Sequence, residues 1–538
     1  MSDHHSESER QGLTRKQLLG SGAGAAAAAL LAGSGVDRAV AAAKAGRKDV
    51  AGMNIILILT DQERAIQHFP PNWLRKNLPG MRRLRQHGIS FERAFTNACM
   101  CSPARSTLMT GFFPAQHGVK YTLEEDMPEN KYPLQVNLPA PPEMANLATV
   151  MRAAKYTPVY KGKWHCSKPE IKEDAQPSDL AKYGWERWNP PDAGANQEVK
   201  EAGGGYPDND GRFMEQVGPN ENGEEGVMQY LSSVAGKQQP FFLVISLVNP
   251  HDVLFFPSKT FEEAGYDSSW LTGDVKVPKT AEENLRTKPT VQEEFRNIFN
   301  LTGKPENREQ MRQYLNFYGN LMRSSDNYIV DVLNKLEELG LYDETLVIRT
   351  ADHGEMGLTH GGMRQKNFNF YEEATRVPLV YSNPKLFPSP QTTDAMVSHV
   401  DFLPTLASLA GAPKAARSNW QGRDYSSLVL QPKKGKKVQD YVVFTYDDVQ
   451  SGQNTPPYPK PPNHIVSIRE KRWKLAKYYA IEPKKPTPPQ WEMYDLKEDP
   501  EETENLAWKH YKRSPLQERE FQRLKKKLAQ VEKTRLKS

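Results

Sequence analysis

One segment concentrates more chemistry than any other in the chain: Cys101-Ser-Pro-Ala-Arg105-Ser-Thr-Leu-Met-Thr110-Gly111. A cap position, an early proline, a short helical run and a closing glycine predict a helix with Cys101 at its N-terminus. Free N–H groups and the positive end of the helix dipole favour an anion there. Arg105, one turn on, adds a forked donor suited to sulfate or phosphate oxygens. Cys99, Cys101 and Cys166 are the only cysteines in 538 residues, too few for a disulfide framework, so any role they have is chemical.

Four further places carry charged or imidazole side chains directly after apolar runs. Asn54–Thr60 leads to Asp61-Gln62, and Thr157–Tyr160 leads to Lys163-Trp-His165. Phe241–Leu247 leads to Asn249-Pro-His251-Asp252, and Leu346–Ile348 leads to Asp352-His353. Continuous apolar runs of this length read as strands buried on both faces. Helical patterns separate them: Met81 to His87, stopped by Gly88; Asn146 to Tyr156; and Asp326 to Leu339, with apolar Ile329, Val330, Leu333 and Leu336. The alternation predicts an α/β domain built on a mostly parallel sheet, in which ligands bind beyond the carboxyl ends of the strands. One aspartate at a strand end is commonly a helix cap; four ends with complementary chemistry point to a convergent site.

With 38% hydrophobic and 25% charged residues, the chain has the composition of a large folded protein. Its net charge of +5 belongs to a tail: residues 509 to 538 hold eleven Lys/Arg against three Glu, a net +8, which leaves −3 elsewhere. Nucleic acid is therefore not an expected partner. Residues 1–45 run from a polar start through Thr14-Arg15-Lys16-Gln17-Leu18-Leu19 and an Ala/Gly-rich stretch to Ala39-Val40-Ala41. That order reads as an export signal of twin-arginine type, with Lys16 in place of the second arginine. It implies export machinery, a bacterial periplasmic or extracellular location, and no stable membrane span.

The Cys-x-Pro-x-Arg pattern, with Thr-Gly five residues after the arginine, resembles the signature of type I sulfatases, members of the alkaline-phosphatase superfamily. The similarity extends through NIILILTDQ, FERAFTNACMCSPARSTLMTGFFPAQHGV, YKGKWH, LVNPHD, LEELGLYDETLVIRTADHGEM, RQKNFNFYEEATRVPLV, HVDFLPTLASLAG and EMYDLKEDPEETENLA. Cys99 fails the pattern because Cys101, not proline, stands two residues after it. The resemblance implies a large sheet flanked by helices over 50–415 and a smaller C-terminal subdomain over 416–538, with an antiparallel sheet and a terminal helix. Val442-Val-Phe-Thr, Ile465-Val-Ser-Ile and Trp473-Lys-Leu-Ala are strand-like, and Phe521, Leu524, Leu528 and Val531 recur at helical spacing, as on a helix docked against the body.

The resemblance further implies that a maturation enzyme oxidises Cys101 to formylglycine, whose hydrate is a geminal diol. One hydroxyl attacks sulfur, and the second expels sulfate afterwards by C–O cleavage. A divalent metal is implied on Asp61, Asp352, His353 and residue 101, with Gln62 as an oxygen donor. Many sulfatases carry two aspartates at the first position and Asp-Asn at the later one. Gln62 and His353 depart from that, so Ca²⁺ is favoured while Mn²⁺ becomes plausible. By the same matching Lys163 and Lys366 clamp the ester oxygens, His165 orients the diol and His251 protonates the leaving oxygen. His117 is expected to support the Cys101 helix and Cys166 to be a structural thiol. The Gly-, Asn- and Pro-rich stretch 170–235 is expected to face the substrate, and 252–316, with Phe255, Phe256 and Trp270, to rim the pocket. The leading function is hydrolysis of sulfate esters, either sulfated carbohydrate or aryl sulfate. The Asp-Gln plus Asp-His combination also resembles phosphonate and phosphodiester hydrolases, and a silent binder of sulfated glycans is the non-enzymatic alternative.

Overall fold

Asn54–Thr60 forms β1, and its side chains from Ile55 to Leu59 are buried, as a run of alternating Ile and Leu with no polar face requires. In the computed structural model the chain continues through α1 (Pro79–Gln86), β2 (Gly88–Phe95), β3 (Ala98–Cys99), α2 (Cys101–Thr110), α3 (Leu147–Ala153), β4 (Thr157–Gly162), β5 (Phe241–Leu247) and α4 (Arg308–Glu338). There follow β6 (Thr345–Ala351), β7 (Arg376–Val377), β8 (Leu379–Ser382), β9 (Gln391–Ser398), β10 (Tyr441–Tyr446), β11 (His464–Glu470), β12 (Trp473–Tyr479), β13 (Gln490–Asp495) and α5 (Pro515–Thr534). Described are residues 49–537 except 66–67, 125–133, 170–174, 196–198, 200–201, 206–207, 216–224, 454–455 and 482–486. The expected export signal, 1–45, lies outside them, as do parts of the 170–235 stretch. Among the described residues no helix is long and apolar enough to cross a membrane.

The main sheet has eight strands in the order β4-β5-β1-β6-β8-β2-β7, with β9 beside β2. Its β4-β5-β1-β6 half is parallel, as the sequence predicts. The other half is mixed, because β8 runs antiparallel to both β6 and β2. Register decides what the parallel half can do. Thr60 pairs with Leu247 and with Ala351, and Gly162 pairs with Ser246, so four strands end level and deliver their following residues to one edge. Gly162 has φ +88°, and a Cβ there would sit 2.1 Å from the Ser246 carbonyl oxygen, so the turn out of β4 requires glycine.

The helix predicted over 326–339 proves to be the end of the 31-residue α4. Its upstream half lacks a simple apolar stripe because Tyr314, Asn316 and Tyr318 are buried there along with Leu315 and Leu321. Asn307 caps it through the Gln310 N–H at 3.0 Å. Leu321, Ile329, Leu333 and Leu336 share a core with Ile56, Ile58 and Leu243 of the sheet. Each such fully buried aliphatic side chain contributes about 2 kcal/mol. Asp326 on α4 accepts the Gly80 and Met81 N–H groups at 2.6 and 2.7 Å, which ties the start of α1 to it.

The second sheet runs β13-β12-β11-β10-β3. Its four C-terminal strands are antiparallel, but the edge strand β3 comes from residues 98–99 and pairs parallel to Thr445 and Tyr446 of β10. The residues immediately before Cys101 are thus stitched into the second sheet, while α2 after it packs on the main body. The expected α5 stripe of Phe521, Leu524, Leu528 and Val531 is buried against Val466, Ile468, Leu475 and Met493, so α5 docks on the body as expected.

Candidate active site

Cys101 is the first residue of α2, and every residue of that helix is buried. Its Sγ lies 3.2 Å from His353 Nε2 and 3.6 Å from Asp61 Oδ1. Asp61 follows β1 and the Asp352-His353 pair follows β6, and the level strand ends bring them together. One donor atom from each of Asp61, Cys101, Asp352 and His353 falls within 4.8 Å of the others. His353 Nε2 stands 3.7 Å from an oxygen of each aspartate. Its other nitrogen, Nδ1, faces the Gly354 carbonyl oxygen at 3.1 Å. A carbonyl accepts only from an N–H, so the proton sits on Nδ1 and the Nε2 lone pair points inward, as in an imidazole metal ligand. Two carboxylates, an imidazole lone pair and the residue-101 atom therefore fit a divalent ion.

Charge is densely matched around this cluster. Lys163 Nζ is 2.6 Å from Asp61 Oδ2. Burial opposes ionisation of Asp61, but Lys163, followed by His251, Arg105 and His353, outweighs it and holds the carboxyl well below the usual range. Burial, then the Asp61 carboxylate, pushes the Cys101 thiol up to about 12, so as a thiol it is protonated at neutral pH and a weak nucleophile. Burial and then Lys163 keep both His165 and His251 well below the ordinary imidazole value.

Arg105 departs from the expectation of a donor open to a bound anion. Its side chain has no exposed surface; Nε donates to Asp352 Oδ2 at 2.9 Å and Nη2 to Asp61 Oδ2 at 3.2 Å. Nη1 donates to the Lys163 carbonyl and to Ser246 Oγ, at 2.9 and 2.8 Å. The guanidinium is a clamp on the two aspartates. Gln62 is tied into the same network. Its amide oxygen accepts from Lys366 Nζ at 2.6 Å, and its Nε2 donates to Glu355 at 2.6 Å. An amide oxygen has two lone pairs, so the bond to Lys366 leaves one for a metal. The Gln62 backbone N–H also donates to Asp352 Oδ1 at 3.0 Å.

Residues 53–412, two thirds of the chain, match the family model described as Sulfatase. The chain belongs to the sulfatase family. Residues 360–534 also match the model of the N-sulphoglucosamine sulphohydrolase C-terminal region. The sulfatase is 25% identical to the choline-sulfatase of Rhizobium meliloti over 485 residues, 84% of this chain and 82% of that one. It is 25% identical to a Delta 4,5-hexuronate-2-O-sulfatase of Bacteroides thetaiotaomicron over 431 residues, 78% and 77% of the two chains. Its fold is shared with the solved structure of a 2-O GAG sulfatase at a TM-score of 0.66 and 19% identity, covering 89% and 92%. The protein is a sulfuric ester hydrolase.

Above the cluster the sulfatase has a cleft of about 330 Å³ that Cys101 lines together with His165, His251 and Lys366. His165 Nε2 bonds the Leu123 carbonyl oxygen, and Nδ1 has no partner among the described residues. His117 accepts the Val119 N–H and bonds Thr107 of α2 at 3.0 Å, the supporting place expected of it. Cys166 is buried with its Sγ 3.4 Å from the Trp164 carbonyl oxygen, and Cys99 is buried 3.9 Å from that of Ala374. Of the expected rim residues, Phe255 lines the cleft. Phe256 and Trp270 instead pack around Phe317 at ring distances of 6.4 Å each. Among the described residues of the 170–235 stretch, Gly194 reaches the cleft.

Several residues that position the site escape sequence reasoning. Asp192 accepts the Trp164 and His165 N–H groups at 2.6 and 2.8 Å and so fixes the Lys163–His165 backbone. Glu355 takes Gln62, the Tyr314 hydroxyl at 2.7 Å and the Gln365 N–H at 3.0 Å, which anchors the loop carrying Lys366. Phe295 and Phe299, from a helix over Thr290–Phe299, form an apolar wall. The only sequence signal for Glu355 is its place two residues after His353. Asp192 lies in the loop-like stretch with no distinguishing pattern.

Proposed function

We propose that this sulfatase hydrolyses sulfate monoesters of carbohydrate alcohols outside the bacterial cytoplasm, through residue 101 after a maturation enzyme has converted it to formylglycine. The observation that carries the reading is the convergence of Asp61, Asp352 and His353 on Cys101 Sγ at the floor of a cleft that also presents Lys366 and His251. Sγ stands where an oxygen of the converted residue would sit. Conversion answers the chemical weakness of the site as encoded: a buried thiol held protonated is replaced by two hydroxyls, one to take the sulfuryl group and one to drive its release.

Asp61, Asp352, His353 and residue 101 would hold the metal, which when bound neutralises charge on the nucleophilic and ester oxygens. Mn²⁺ suits the His353 nitrogen and Ca²⁺ the two carboxylates. Arg105 holds those carboxylates in place through its bonds to both. Lys163 and Lys366 meet the ester oxygens, and His165 orients the nucleophile through its unpartnered Nδ1. His251 gives its proton to the departing alcohol oxygen. Burial and Lys163 keep it neutral at rest, and an anionic ester beside it raises its proton affinity. The N-sulphoglucosamine sulphohydrolase model over 360–534 and the hexuronate sulfatase relative support a carbohydrate substrate, and residues 1–45 support export.

Turnover of matched 4-nitrophenyl sulfate, 4-nitrophenyl phosphate and a phenylphosphonate monoester by the converted, metal-loaded enzyme tests the reading. A kcat/KM for sulfate above the other two is expected. A kcat/KM for the phosphonate monoester exceeding that for sulfate by a hundredfold assigns the enzyme to the phosphonate and phosphodiester hydrolases instead.

A further inference from the structure

Lys366 is flanked by two amide side chains that are almost fully buried and half unused. Gln365 is 6% exposed and Asn367 1%, and both line the cleft that contains Cys101. Gln365 Oε1 accepts from Lys366 Nζ at 3.3 Å, which identifies its other terminal atom as Nε2, and that donor has no partner among the described residues. Asn367 Nδ2 donates to the Tyr446 hydroxyl and to the Ser451 carbonyl, both at 3.3 Å; the carbonyl accepts only, so the unpartnered atom is the acceptor Oδ1.

Neither side chain is loosely placed. The Gln365 N–H donates to Glu355 and its carbonyl accepts from Met356, at 3.0 and 2.9 Å. The Asn367 carbonyl accepts from Asn369 Nδ2 at 3.0 Å. A buried donor and a buried acceptor are therefore carried by the two chain neighbours of Lys366, all three on the same cleft. Leaving such atoms unpaired is costly, so the cleft is built for a ligand that pairs them. Phe255, Phe295 and Phe299 line the same cleft and supply an apolar surface for a ring.

We propose that Gln365 and Asn367 bind a free hydroxyl, or a vicinal pair, next to the sulfate-bearing carbon of a pyranose, and so select sugar sulfates over aryl or quaternary-ammonium sulfates. A hydroxyl donates and accepts at once and matches both atoms. An aryl ring or a trimethylammonium group offers neither function. This rests on the reading that the cleft hydrolyses sulfate esters with Lys366 on the ester oxygens.

The test uses full-length, converted, metal-loaded enzyme, methyl pyranoside monosulfates sulfated at each position, and deoxy analogues of the preferred one. Removing one particular hydroxyl is expected to lower kcat/KM about tenfold or more in the wild type, and less than twofold in Gln365→Met or Asn367→Leu. The readout is a ratio within each variant, so a general loss of activity cancels. Gln365→Glu keeps Oε1 but replaces the donor by an acceptor, and serves if Gln365→Met does not fold. The proposal is overturned if the variants lose activity by the same factor on the hydroxylated and deoxygenated sugars, which is what water alone on these amides predicts. It is also overturned if 4-nitrophenyl sulfate is hydrolysed and no pyranoside sulfate is. Failure to hydrolyse any sulfate ester would instead bring down the parent reading.

Discussion

Replacing Arg105 by lysine preserves the charge and removes the fork. The guanidinium reaches Asp352, Asp61, the Lys163 carbonyl and Ser246 through three nitrogens, all without solvent contact. A single ammonium cannot span both carboxylates and also reach β4 and β5. At least two of the four bonds are lost, one of them to a carboxylate. A bond to a charged group contributes about 1.5–3 kcal/mol and a neutral one about 0.5–1.5. Arg105→Lys should therefore destabilise the fold by about 3 kcal/mol, near the ~3–5 kcal/mol typical of breaking a buried ion pair. Because net charge is unchanged, the effect on the metal is one of ligand orientation alone, and affinity should fall about 10- to 100-fold. Urea midpoints give the first quantity, and calorimetric titration with Ca²⁺ and Mn²⁺ the second. Activity should recover in part at high metal concentration. A tenfold rise in KM with stability and metal affinity unchanged would refute the clamp and return Arg105 to direct contact with the substrate.

Three further outcomes are expected. In protein from a maturation-competent host the peptide containing Cys101 should be lighter by about 18 Da, with Cys99 and Cys166 at their thiol masses, and Cys101→Ser should abolish multiple turnover; mass spectrometry and burst kinetics check this. His251→Ala should cost about 10²–10⁴ in kcat/KM on sugar sulfates and far less on 4-nitrophenyl sulfate, whose oxygen leaves without a proton; equal losses would make His251 a positioning residue. Asp326 is raised by burial to about 6 despite the Met81 and Gly80 N–H bonds, so between pH 4 and 6 the folded state holds the extra proton. Its contribution to stability falls as pH rises through that window, by about 3 kcal/mol in all. Asp326→Asn should flatten that part of the pH–stability curve measured by urea denaturation, and an unchanged slope would show that the carboxylate is not strained by burial.

Short-range chemistry was legible in the chain from the start. Strand-length apolar runs such as Asn54–Thr60 and Phe241–Leu247 read as strands buried on both faces, and the helix signals between them point to an α/β sheet. The place of Cys101 at a helix start, with aspartate and histidine just beyond strands, follows from local spacing. The same holds for α5, whose stripe recurs with the helical period. The mixed half of the sheet was hidden because β7 and β8 are only two and four residues long, with Pro378 between them, and give no strand-length apolar run. The first half of α4 was hidden because it buries Tyr314, Asn316 and Tyr318, which carry no periodic apolar signal.

Side-chain partnership was the other thing withheld. Sequence spacing places Arg105 one turn from Cys101, but whether its fork meets a substrate or two aspartates depends on residues 44 and 247 positions away. Gln62 likewise sits where a ligand belongs, and only the fold shows that Lys366, 304 residues on, shares its oxygen. Local sequence determined the elements and the residue types at their ends, because backbone propensity and burial act over a few residues. Which of those ends meet, and whether a given polar atom faces metal, substrate or another side chain, was decided only by strand register and packing, because hydrogen bonds in a buried site are satisfied by whatever the fold brings within 3 Å.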